Sequence, residues 1–530
     1  MTGNNGESYL RQNVLIEPLF NQWYAWSHLI SPATAAMFVA NSHVKIMQSF
    51  VNSPQVHITA MKNPAMLGGP FINYGAKRAD EIKALMEKTI KEQADLLGLA
   101  QAIKALDEML INDAGGYSLE PLYQRVPEPL KGYVELVYDL NNQPSIRFIE
   151  GLLLKSPYYK TSSQSLALSL INGDDRPFVF STPRLEDESC YFLRLPFSHE
   201  GLDELMRMRS SPQSPGRVKE ILGVAQDDER FSQFFTDEPP PRRPLYDRQG
   251  VRISYFGHAC LLIETNRTTI LTDPVIGYKY DSEIPRLTQA DLPEIVDFVL
   301  ITHNHQDHFA LETLLQLRHK TRNIVVPKNS GGRLADPSLK LALLNMGFKN
   351  VIELDEVETV ECEDGSITGL PFLGEHADLD IKSKMAYLVK VAGRSVLIAA
   401  DSNNLEPRLY DHIHDLADDV EAVFLGMECD GAPLTWIYGP LLTRPITRKM
   451  DQSRRFDGSN YEKAAEIVKR LNPKQVYVYA MGQEPWLTYL IAVHYTEQSR
   501  PIVESDKLVA DCRSRGITSE RLFGRKEIFL

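Results

Sequence analysis

Residues 298–308 read Phe-Val-Leu-Ile-Thr-His-Asn-His-Gln-Asp-His, an apolar run that ends in four metal-binding side chains: His303, His305, Asp307 and His308. Imidazole and carboxylate at this density, in a loop fixed by the strand before it, can serve two metal ions at once. His303 and His305 would face one ion, Asp307 and His308 the other. The bland alternative is a polar loop that happens to be rich in histidine, and the spacing argues against it.

The HxHxDH spacing resembles that of the metallo-β-lactamase superfamily, and further segments then fall in order. Thr272-Asp273-Pro274 resembles the motif whose aspartate orients the ligand loop by hydrogen bonds. Asp401, after the run 396–399, stands where those proteins carry a bridging aspartate; its plain alternative is a helix N-cap. Two positions depart from the zinc hydrolases. Where they carry a third histidine, this chain reads Gly374-Glu375-His376-Ala377-Asp378, so either Glu375 or His376 can be the ligand. Where they carry a last histidine, it reads Ala480-Met481-Gly482-Gln483-Glu484. His494 lies too far on, in what reads as a helix, and is taken as an ordinary core or surface histidine.

With Glu375 as ligand, three imidazoles stand against three carboxylates, a set richer in oxygen than zinc sites usually are. Histidine and carboxylate with open positions suit non-haem iron. The segments GEHADL, ADS and GMECDGAPLTWIYGPL, with a long N-terminal region ending before residue 250, are similar to the diiron β-hydroxylases of nonribosomal peptide biosynthesis. That resemblance covers essentially the whole chain. It implies that Glu375 replaces the hydrolase histidine and that His303, His305, Asp307, His308, Glu375 and Asp401 hold an oxo-bridged diiron cluster, with Glu375 and Asp401 nearest the chemistry. It further implies O2 as cosubstrate, an external electron donor and use in antibiotic biosynthesis. The substrate it implies is an aminoacyl thioester on a peptidyl carrier domain, hydroxylated at the β-carbon. The N-terminal region would mediate a homodimer and cover the site. The rival reading is a zinc-dependent hydrolase of an ester, thioester or lactam, with metal-bound hydroxide as nucleophile.

Weaker candidates surround this set. Glu428 and Asp430 read as proton donors or as solvated loop carboxylates, and Trp436 and Tyr438 as pocket walls or packing aromatics. His258, in Phe-Gly-His-Ala-Cys, reads more readily as a satisfied core histidine than as part of the site. Residues 441–456 carry Arg444, Arg448, Lys449, Arg454 and Arg455 against the single acid Asp451, a basic stretch that reads as a docking surface for an acidic carrier protein or as a solvated loop whose charges serve only solubility.

The elements that must hold these residues are short β-rich runs at 251–255, 261–265, 269–271, 298–302, 324–326, 396–399, 422–425 and 476–479. They alternate with turns and helical patterns, so the expected fold is α/β: a C-terminal metallo-β-lactamase αββα sandwich over 246–530, preceded by a mixed α+β domain over 1–245. Four prolines within 239–244 read as an extended joint. In the first part, 76–112 reads as one helix, 178–180 and 191–195 as strands, and 201–209 as a helix.

At 530 residues, 43% hydrophobic and 24% charged, the chain suffices for two globular cores. A net charge of -13 argues against a nucleic-acid enzyme, since phosphate binding needs a concentrated basic surface. With no signal-peptide pattern and no apolar run of about 18 residues, a cytoplasmic protein is expected, with no nucleic-acid or membrane partner. The five scattered cysteines, an odd number without a CxxC pair, are expected to be reduced thiols.

Overall fold

The computed structural model describes residues 6–417 and 419–530. Its C-terminal part is built from two seven-stranded sheets. In the first, Thr269–Thr272, Val296–Leu300, Thr321–Pro327 and Val351–Leu354 run parallel, flanked by an antiparallel edge. In the second, Arg394–Ala400, Ala422–Gly426, Gln475–Tyr479 and Thr518–Arg521 run parallel. Parallel strands buried on both faces read as continuous apolar runs, which is why residues 298–301 and Ala422–Gly426 lack polar alternation. Phe298 and Leu300 pack inward against Val389, Ile398 and Phe424 of the opposite sheet. Val299 and Ile301 point outward into the cluster shared with the N-terminal helices. The outer face of the second sheet is covered by Tyr461–Leu471 and Arg500–Ser514 through Ile467, Val468 and Leu508. The result is the expected αββα order. Each fully buried Val, Leu or Ile here contributes about 1.5–3 kcal/mol.

All these parallel strands end on one rim, so the loops after Thr272, Leu300, Ala400, Gly426 and Tyr479 converge there. Loops carried on the ends of sheet strands are a natural place to fix functional side chains.

The N-terminal part combines helices with a four-stranded sheet containing Val14–Phe20 and Gln164–Leu170. Its apolar cluster, including Phe38, Ile103 and Leu106, continues without a break into Val299, Leu271 and Leu314. A buried ion network crosses the same junction: Arg176 pairs with Glu17 at 2.8 Å and with Glu312 at 2.6 Å, and Arg184 with Glu17 at 2.8 Å. Three sequence expectations are corrected. The single helix over 76–112 is two, Ala79–Glu92 and Ala94–Asp113, because Gln93 leaves helical geometry (φ -109°, ψ 23°) and donates its amide to Ser163 Oγ at 2.8 Å. Residues 178–180 form no strand; their apolar side chains pack as a loop, and Val179 N–H donates to Tyr489 O at 3.0 Å. His494 lies in an exposed loop beyond the short helix Thr488–Ile491. Among the described residues no helix is long and apolar enough to cross a membrane.

Candidate metal centre

Asp273 follows the third strand of the first sheet at φ +34° and is fully buried. Its carboxylate accepts three hydrogen bonds: from Thr302 N–H at 2.7 Å, Thr302 Oγ–H at 2.6 Å and His308 Nδ1–H at 2.8 Å. Thr302, having donated its hydroxyl proton to Asp273, accepts from His303 Nδ1 at 3.0 Å. Both rings therefore donate through Nδ1 and turn Nε2 toward the centre, and neither Nε2 has a hydrogen-bond partner although both are buried. His308 Nε2 lies 3.0 Å and His303 Nε2 3.8 Å from Asp401 Oδ2, while Asp401 Oδ1 is also unpartnered. A strand end without a Cβ leaves room for that carboxylate: a methyl group on Gly426 would stand 2.7 Å from Asp401 Oδ1.

His305 is turned the other way. Its Nδ1 faces Glu375 Oε1 at 2.9 Å, and its Nε2 faces His376 Nδ1 at 2.9 Å and Tyr438 Oη at 3.3 Å. Glu375 thus stands with His303 and His305 in one metal-sized group, whereas His376 stands behind His305 as a hydrogen-bond partner. His308 and Asp401 join His303 in a second group, and Asp307, His308 and His258 form a third. All six sequence candidates are brought together on one rim. Backbone strain concentrates here too: Glu375, Ala377, Asp378, Ala400 and Ala480 all have φ between 46° and 65°. Such conformations cost about 1–3 kcal/mol each and persist where packing over-determines them.

The electrostatics are those of buried carboxylates and imidazoles crowded together. Burial, together with Asp401 and Asp307, pushes the Glu375 carboxyl well above the usual range. Burial and the neighbouring imidazoles hold His303 well below its ordinary value, and burial takes His305 down to about 4. His308 is opposed by burial but held well above the normal range by Asp401, Asp273 and Asp307. Convergent unpartnered imidazole nitrogens, the unpartnered Asp401 Oδ1 and mutually repelling acids fit a pair of metal ions, which would offset them. The charge would be shared by three carboxylates and three imidazoles.

A cavity of about 540 Å³ opens onto Asp307, Glu375 and Asp401 and is walled by Pro433, Trp436, Phe456 and Ile491. Trp436 donates its indole N–H to Gly68 O at 3.0 Å, and with 68–71 it separates this cavity from a second, of about 600 Å³. Glu428 lines the first cavity, and burial raises its carboxyl to about 7, so it is no solvated loop acid. Asp430 is exposed at the same wall. Tyr438 does not line that cavity; it is buried behind His305 and His376. His258 lines the site, contrary to its reading as a core residue. The signal was present in the sequence: a Gly-His turn between two strands of the metal-bearing sheet. Thr302 was also missed as a relay, although it directly precedes the motif. Of the basic stretch, Arg454 is committed to Ala377 O at 2.8 Å and Arg455 approaches Asp430 at 3.5 Å, so the exposed cations are Arg444, Arg448 and Lys449.

Comparison with known proteins adds an independent line. Residues 9–239 match a diiron non-heme β-hydroxylase N-terminal domain, and 252–413 a β-lactamase superfamily domain. The chain is 40% identical, over 98% of its length and 99% of the other's, to the 4-amino-L-phenylalanyl-[CmlP-peptidyl-carrier-protein] 3-hydroxylase of Streptomyces venezuelae. The crystal structure of CmlA, a diiron β-hydroxylase from Streptomyces venezuelae, superposes with a TM-score of 0.93 at 40% identity, covering 99% of each chain. A point variant of CmlA superposes at 0.91 with 39% identity, covering 99% of this chain and 100% of its own.

Proposed function

The chain belongs to the diiron non-heme β-hydroxylases, and from that premise we propose that it uses two iron ions and O2 to hydroxylate the β-carbon of an amino acid tethered as a thioester to a nonribosomal peptide synthetase carrier domain. The observation that carries the reading is the donor set. Glu375, not a histidine, stands 2.9 Å from His305 Nδ1, which supports three imidazoles and three carboxylates as ligands. The same set speaks against a zinc hydrolase, whose sites favour nitrogen and sulfur. Bound iron supplies the redox chemistry, activating O2 with electrons from an external donor.

The chain's own residues do the rest. Asp273 and Thr302 hold the Nδ1–H groups of His303 and His308, which would leave Nε2 of each ring to the metal. Tyr438 and His376 hold His305 through Nε2. Trp436, Phe456, Ile491 and Pro433 form an apolar wall that excludes water from the aminoacyl side chain, while Glu428 and Asp430 on the same wall suit its α-ammonium group. Arg444, Arg448 and Lys449 lie between Pro440 and Arg455, which line the two cavities, and offer an acidic carrier a basic landing surface.

The test is metal analysis of purified protein combined with turnover of aminoacyl-carrier and free amino acid. Two irons per chain, O2-dependent hydroxylation and a much higher kcat/KM for the tethered substrate are expected, because carrier binding helps position the β-carbon. Stoichiometric zinc with full activity after iron chelation, or equal kcat/KM for both substrates, overturns the reading.

A further inference from the structure

His258 occupies the turn between Arg252–Tyr255 and Leu261–Glu264 at φ +51° and is 2% exposed. The loop after Gln475–Tyr479 grips it twice. Ala480 N–H donates to its carbonyl at 2.9 Å, and Gly482 N–H donates to its Nδ1 at 3.2 Å. On the other side of the ring, Nε2 lies 3.2 Å from Asp307 Oδ2 without an aligned hydrogen bond, and the ring stands edge-on to His308 at 4.8 Å between centroids. Position alone would make His258 a further ligand beside Asp307 and His308.

The direction of the hydrogen bonds decides otherwise. A backbone amide can only donate, so Nδ1 of His258 must offer a lone pair, and the single proton of the neutral ring then sits on Nε2. This is the reverse of His303 and His308, whose Nδ1 atoms donate. A protonated ring nitrogen is a hydrogen-bond donor and no ligand.

We infer that His258 is a positioning residue and not a ligand: with Nδ1 taken by the Gly482 amide, its Nε2–H faces Asp307 Oδ2 at 3.2 Å and is placed to donate to that carboxylate once a metal fixes it. This rests on Asp307 being a ligand, as proposed above. Its consequence is that Asp307 Oδ2, which also lies 4.0 Å from His308 Nε2 and keeps a lone pair beside the one offered to His258, is held in orientation for a metal. The loop Ala480–Gly482, which carries no histidine, acts at the site by fixing the tautomer of His258 instead.

Pulsed EPR of the one-electron-reduced iron protein, labelled with 15N-histidine, counts the imidazoles bound directly to iron. Three are expected, and the same three in His258→Gln and His258→Ala. A fourth in the parent, or a loss of one in either variant, overturns the inference. Iron affinity gives the second readout. His258→Ala is expected to weaken it about 10–100-fold, and His258→Gln, whose amide can still donate to Asp307, to recover most of that loss. Equal loss in both overturns the inference. Asp307→Ala separates this from the larger reading: retention of both irons there shows that Asp307 is no ligand, and it overturns both.

Discussion

Replacing Asp273 by asparagine tests whether the tautomer relay controls metal binding. The carboxylate receives three donors at 2.6–2.8 Å in a fully buried position. An asparagine offers one acceptor oxygen and one NH2 group. If its oxygen stays with Thr302 N–H, the NH2 group meets both Thr302 Oγ–H and His308 Nδ1–H, and two bonds to a charged acceptor are lost. Each is worth about 1.5–3 kcal/mol. His308 can escape the clash only by moving its proton to Nε2, the atom that must be bare beside Asp401. The cost therefore divides between stability and metal affinity, and the metal share is expected at about 10–100-fold. Competition of the iron-loaded variant against a graded series of chelators measures that share, and thermal unfolding of the metal-free proteins measures the other. Unchanged iron affinity with lowered stability alone would refute the relay and reduce Asp273 to a buried structural acid.

Gly426→Ala places a methyl 2.7 Å from Asp401 Oδ1, so displaced metal with an intact far-ultraviolet spectrum is expected; full iron occupancy would show that the rim has room. Glu17, whose burial is outweighed by Arg184 and Arg176, is held down to about 2 against an ordinary 4.5. A depressed carboxylate stabilises above its unfolded value, so this contribution, on the order of 3 kcal/mol, is lost as pH falls from 4.5 to 2. Glu17→Gln should lower stability at neutral pH and flatten the acid side of the stability-pH curve; an unchanged acid slope in denaturant titrations would contradict it. Reversing Arg444, Arg448 and Lys449 to Glu should slow association with the acidic carrier and reduce its salt dependence, leaving iron content and spectrum intact. Stopped-flow association rates that do not change would place the docking surface elsewhere.

The candidate donor set was largely legible in the sequence, because metal chemistry restricts residue types and the loop spacing is local. Residues 303–308 lie in one turn after one strand, so their convergence needs no long-range contact. The continuous apolar runs likewise fixed the two-sheet architecture, since parallel strands buried on both faces have no polar side to show. The choice between Glu375 and His376 was open at the level of residues: neighbours in a strained loop with φ +65° at Glu375 point in directions that no periodicity foretells. The helix break at Gln93 was invisible for a related reason, since its cause is a hydrogen bond to Ser163, seventy residues away. His258 shows the limit most clearly. Its side chain is drawn into the centre by a backbone amide 224 residues later in the chain, and whether its ring donates or ligates depends on which atoms fold against Nδ1 and Nε2. Sequence determined which groups could bind metal; only tertiary structure decided where each proton sits, because a tautomer is set by its hydrogen-bond partners and these come from strands distant in sequence.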